Sequence, residues 1–113
     1  MYHGETVFSK IIEGTIPSRK VYEDDHVLAF HDIEPKADVH VLIIPKKKYV
    51  SFNDFVQEAS ETEISSFYRT IQKIAEDLGI AESGYRLVTN HGAKAGQEVF
   101  HFHVHMIVPQ HKD

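Results

Sequence analysis

The chain has 113 residues, no cysteine, and a formal net charge of −5 from 12 Lys and Arg against 17 Asp and Glu. That length suits one domain, residues 1–113, with a real hydrophobic core, and is too short for two. Without cysteine there is no disulfide or thiolate metal site, and the acidic balance argues against nucleic-acid binding. No apolar run nears the roughly 20 residues that span a bilayer, so no membrane association is expected.

Met1–Glu5 lacks a basic region followed by an apolar stretch, so the protein is expected to be cytoplasmic. Thr6 to Glu13 then predicts a short amphipathic helix, with Val7, Phe8, Ile11 and Ile12 on one side and Gly14 as its stop. Val21–Glu23, a turn at Asp24-Asp25, and Val27–His31 predict a hairpin. Val39–Pro45 is a nearly continuous apolar strand whose one polar interior residue is His40. Ser60-Glu61-Thr62-Glu63 has the form of a capping box. It opens a long helix in which Ile64, Phe67, Tyr68, Ile71, Ile74, Ala75 and Leu78 recur at helical spacing up to Gly79. Tyr85 to Asn90 reads as a further strand, joined by the loop His91–Gln97 to a last one with which it should pair as a hairpin. The sum is an α+β domain: an antiparallel sheet of about five strands with one long and one short helix.

That last segment, His101-Phe102-His103-Val104-His105-Met106-Ile107-Val108, holds three histidines in strict alternation with apolar residues. On a strand, positions i, i+2 and i+4 share a face, so the imidazoles form a row on a solvent-facing side while Phe102, Val104 and Met106 point into a core. Three histidines can bind a catalytic zinc ion. However, His101 and His105 on one strand stand about 13 Å apart, too far to share an ion with bonds of about 2.1 Å. Two neighbours could share one with His40 or His91 as third ligand, but nothing else in the sequence supports that arrangement. No metal and no cofactor are therefore expected.

An imidazole is instead a competent nucleophile at neutral pH once its other nitrogen is held as a donor. Flanking imidazoles can supply protons, and the Gly92–Gly96 loop can bring backbone N–H groups close to a phosphate.

Gly96-Gln97-Glu98-Val99-Phe100-His101-Phe102-His103-Val104-His105-Met106-Ile107 resembles the signature of the histidine triad superfamily. Thr6–Ile12, Ile16-Pro17, Tyr22–Asp25, Leu28–Ile33 and Ile43–Lys47 are similar to its Hint branch, so the likeness runs from Thr6 to Val108. The resemblance implies a HIT-like fold and a hydrolase or transferase that cleaves purine nucleoside phosphoramidates, or related nucleotidyl conjugates, at the α-phosphorus. By the same resemblance His103 attacks phosphorus and forms a nucleotidyl-histidine, and His105 sits near the leaving group. His40 completes an acid–base network with His101. Asp32, with Ile33 beside it, accepts from the ribose hydroxyls. Val7, Phe8, Ile11, Ile16 and Phe30 form the purine pocket, and Asn90, Gly96, Gln97 and Val99 surround the phosphate and leaving group.

The partners implied are a purine nucleotide or nucleoside monophosphate and a second copy of the chain in a homodimer. Two alternatives stay open: a dinucleoside polyphosphate hydrolase of the Fhit type, and a nucleotide-binding interaction protein with incidental turnover. The apolar residues of the first helix would also suit plain core, and Asp32 would suit a turn. Glu98 stands where some Hint proteins have a small hydroxyl residue; a carboxylate there either disfavours anionic leaving groups or simply faces solvent. The sequence also stops at Asp113 without the Gly-Gly and longer tail of some relatives.

Overall fold

The computed structural model describes residues 4–35 and 37–109. In chain order they form α1 (Val7–Glu13), β1 (Lys20–Glu23), β2 (Val27–His31), β3 (Val39–Pro45), α2 (Phe52–Glu58), α3 (Glu61–Asp77), β4 (Arg86–Val88), a 3-10 turn (Ala93–Ala95) and β5 (Val104–Val108). The five strands make one antiparallel sheet in the order β1-β2-β3-β5-β4. No helix among the described residues is long and apolar enough to cross a membrane.

Local chemistry sets the boundaries. Thr6 Oγ1 accepts from the N–H groups of Phe8 and Ser9, both at 3.2 Å, which satisfies donors that the first turn of α1 leaves unpaired. Gly14 ends the helix at φ 88°, where a Cβ would be strained. In the β1–β2 turn, Asp24 Oδ1 accepts from the N–H groups of His26 and Val27 at 2.7 and 2.8 Å. The Ser60–Glu63 capping box is present at the start of α3.

The sheet is covered on both sides, which explains why β2 and β3 read as continuous apolar runs. Val27, Ala29, Val41, Ile43, Val104 and Met106 pack with Phe55 of α2 and with Phe67, Ile71 and Ile74 of α3. The alternate residues Leu28, Phe30, Leu42 and Ile44 pack with Phe8 and Ile11 of α1.

Three details differ from the sequence expectation. A second short helix, α2, follows β3; only Phe55 in it is buried, so its apolar pattern is too thin to announce a helix. The strand expected over residues 85–90 is confined to Arg86–Val88. β4 and β5 do pair antiparallel, but β5 begins only at Val104, so residues 89–103 connect them in place of a short hairpin loop.

A candidate nucleotide site built on histidines

The first half of the histidine run lies ahead of β5, and it is not a solvent-facing row. His101 is 1% and His103 8% exposed. Phe8 covers them from α1, its ring edge-on to both, with centroids 6.2 Å from His101 and 5.0 Å from His103. Alternation still holds in one respect: Phe102 packs in the opposite core with α2 and α3.

His103 Nδ1 lies 2.7 Å from the carbonyl oxygen of His101. A carbonyl can only accept, so Nδ1 carries the proton and Nε2 keeps its lone pair in neutral imidazole. Thr89 Oγ1 donates to the His103 carbonyl at 2.8 Å and fixes the backbone there. Burial, before any other influence, holds the His103 pKa below the usual histidine range. The ring is thus kept neutral with a defined nucleophilic nitrogen.

His101 serves as a support. Its Nε2 donates to the Pro45 carbonyl at 2.7 Å, and burial pushes its pKa down to about 4. His105 Nδ1 and His40 Nε2 lie 2.9 Å apart and share one proton between them. Burial, and then the neighbouring His103 and His40, lower the His105 pKa to about 4. A hydrogen bond thus pairs His40 with His105, whereas the resemblance grouped His40 with His101.

Asp32 follows β2, where it shapes the turn and lines both clefts described below. Its Oδ1 accepts from the Glu34 N–H at 2.8 Å, while Oδ2 lies 3.4 Å from His40 Nε2. Its own N–H donates to the His40 carbonyl at 2.9 Å, which ties the two residues together. Asp32, His40 and His105 each present a metal-ligating atom, all within 4.8 Å of one another.

Two clefts meet here. The first, of about 500 Å³, is lined by Val7, Phe8, Ile11, Ile16, Phe30, Asp32, Ile33 and Leu42, with Pro17, Ser18 and Arg19 at its far side. The second, of about 410 Å³, is lined by Asp32, His40, Asn90, Gly96, Glu98, Val99, His103 and His105. Phe8, Asp32, Ile33 and Leu42 belong to both, so an apolar cavity opens directly onto the imidazoles.

Most of the expected site residues therefore converge, with two exceptions. His101 lines neither cleft. Gln97 is 5% exposed and its amide is fully engaged: Oε1 accepts from Gly92 N–H at 2.8 Å, and Nε2 donates to Val50 and Val99 carbonyls at 2.7 and 3.0 Å. It holds the loop together and has no hydrogen-bonding capacity left for a phosphate. Asn90 does line the cleft, and its Nδ2 donates to Ala95 O at 2.8 Å.

Leu42 and Thr89 were not among the expected residues. Leu42 was findable, because it lies two residues beyond His40 on β3 and so shares its face. Nothing in the local sequence marks Thr89. The Lys46–Lys48 run is accounted for in part by surface pairing, with Lys46 Nζ at 2.8 Å from Glu23.

Comparison with known proteins identifies the family. The HIT domain family matches residues 13–112. A purine nucleoside phosphoramidase of Escherichia coli is 48% identical over 103 residues, covering 91% of this chain and 86% of that protein. A HIT family hydrolase from Clostridium thermocellum, also 48% identical, superposes with a TM-score of 0.80 over 91% of this chain and 89% of its own. A HIT family hydrolase from Legionella pneumophila, 40% identical, reaches a TM-score of 0.87 with 95% of each chain covered. The two solved structures share the fold of this chain. The chain belongs to the HIT family.

Proposed function

We propose that this protein hydrolyses purine nucleoside phosphoramidates, or closely related nucleotidyl conjugates, through a covalent nucleotidyl-histidine on His103. The observation that carries the reading is the 2.7 Å bond from His103 Nδ1 to the His101 carbonyl, which leaves Nε2 as a lone-pair nitrogen facing the cleft. The purine would occupy the apolar cleft between Phe8, Ile11, Phe30 and Ile33, and Asp32 would accept from the ribose hydroxyls. Nε2 attacks the α-phosphorus, a P–N(His) bond forms, and the P–N bond to the leaving amine breaks. The amine leaves with a proton drawn from solvent through the hydrogen-bonded His105–His40 pair. Water then attacks phosphorus and returns a proton to the same pair, the P–N(His) bond breaks with its electrons going back to Nε2, and a nucleoside monophosphate leaves. The phosphoramidase relative supports this substrate class.

The test is to trap the intermediate. Acid quench of enzyme mixed with a purine nucleoside phosphoramidate should give intact protein heavier by one nucleotidyl group, mapped to the peptide that contains His103. Turnover without any such adduct in the pre-steady state would contradict the covalent route.

A homodimer belongs to the same proposal. Among the described residues β4 is an edge strand, and its Leu87 is 46% exposed. An edge strand with an exposed apolar side chain favours pairing with a second copy. Light scattering at micromolar concentration should return twice the chain mass; a monomer mass would overturn this part.

A further inference from the structure

Asp32, His40 and His105 form a donor set with a geometry of its own. They come from the turn after β2 and from the second residues of β3 and β5. His40 Nε2 lies 2.9 Å from His105 Nδ1 and 3.4 Å from Asp32 Oδ2. Two donors bound to one ion at about 2.1 Å stand about 3.0 Å apart on an octahedral edge and about 3.4 Å apart on a tetrahedral one. The His40–His105 separation is close to an octahedral edge and the His40–Asp32 separation to a tetrahedral one, so a shift of a few tenths of an ångström in one side chain brings both onto the same ion.

The set is held from outside. Glu34 N–H occupies Asp32 Oδ1, leaving Oδ2 toward His40, and the Asp32 N–H bond to the His40 carbonyl fixes their spacing. The β3–β5 register, with Leu42 opposite His105, brings the second imidazole alongside. Two imidazoles and one carboxylate leave the remaining coordination positions open to water in the cleft of about 410 Å³.

We propose that Asp32, His40 and His105 bind a divalent transition metal of the zinc class, and that the bound ion excludes the nucleotide. Borderline ions accept imidazole nitrogen and carboxylate oxygen together, whereas magnesium and calcium prefer all-oxygen sites. On binding, the proton between the two imidazoles moves to the other nitrogen of the ring that carries it, so both facing nitrogens present lone pairs and each ring stays neutral. The three consecutive alternating histidines are not the site. His101 Nε2 is committed to Pro45 and His103 Nδ1 to the His101 carbonyl. The metal-binding half of the proposal stands on geometry alone; exclusion of the nucleotide rests on the function proposed above.

Calorimetric titration of the untagged, metal-free chain with zinc chloride in a non-coordinating buffer decides it. One ion per chain is expected, with Asp32→Asn and His105→Gln each weakening affinity by about tenfold or more, while His103→Asn binds as wild type. Circular dichroism identifies any variant that fails to fold, and two separate ligand variants keep the test intact. Absence of saturable binding, binding indifferent to both ligand variants, or binding lost in His103→Asn would each overturn the site. Adding adenosine monophosphate should weaken the apparent zinc affinity. An unchanged zinc affinity, with the nucleotide shown to bind, overturns the exclusion. Failure of the nucleotide to bind the metal-free chain overturns the nucleotide reading and the exclusion with it, while the zinc titration still decides the site.

Discussion

The two faces of this sheet are packed to different ends. Against α2 and α3 the aromatic rings close up: Phe55 and Phe102 stack with centroids 4.6 Å apart at 14°, and Phe67 meets both within 5.5 Å. Against α1 a helix of seven residues covers only part of the sheet, and beyond it the surface opens into the two clefts. The same strands build both faces, since Val104 and Met106 look one way while His105 looks the other. One face supplies rigidity, and the other uses that rigidity to hold imidazoles at fixed spacing with room for a ligand.

The sharpest way to break the comparison is to remove chemistry from the open face while leaving the closed face alone. His103→Ala should lower kcat by roughly 10,000-fold or more, as expected for loss of a nucleophile. Because the ring is buried and bonded to the His101 carbonyl, the change also costs about 1–2 kcal/mol of stability, so the variant stays folded. Steady-state assay beside a urea melt checks both; a kcat near wild type would remove His103 from its role.

The converse is Phe67→Ala on the closed face, where the ring is 1% exposed. It should cost about 3–5 kcal/mol in urea denaturation and leave kcat of the folded fraction unchanged. Phe8→Ala, on the boundary, should lose both stability and turnover, because its ring lies edge-on to His103. Equal effects of the two substitutions on kcat would show that the faces are not separable.

A smaller effect appears with pH. Burial holds His101 at about 4, against 6.5 for the free side chain. Between those values the unfolded chain binds more protons than the folded one, so stability is full above about pH 6.5 and falls as the pH drops toward 4, by up to about 3 kcal/mol. Urea midpoints from pH 7 to pH 4 should trace that decline, to which His105 adds its own share, and His101→Asn should make it shallower. An identical slope in the variant would assign the decline to other groups.

Local rules made the elements legible: the Thr6 and Ser60 caps, the Asp24 turn, and the helical spacing from Ile64 to Leu78. The site residues were also largely legible, because period-two alternation puts His40 with Leu42 on one face and His105 on a facing strand. What sequence did not show was burial and partnership. The alternation of His101 and His103 looked like a wet face because α1 is distant in sequence from them, and only tertiary packing lays Phe8 across both rings. The choice of His105 over His101 as partner for His40 depends on β3–β5 register, which no local pattern encodes. Gln97 stood beside the phosphate by resemblance alone, and only the folded loop shows where its hydrogen bonds go.

That amide has a consequence for which residues the position can accept. Its oxygen takes one N–H and its nitrogen serves two carbonyls, reaching from the loop itself to Val50 on the segment between β3 and α2. Glutamate at position 97 would turn a donor into an acceptor facing two carbonyl oxygens. Leucine would fill the space and strand all three backbone partners without water. Asparagine has the right chemistry on an arm one carbon too short. The side chain behaves as a length of backbone laid crosswise, and position 97 has room for that one amino acid.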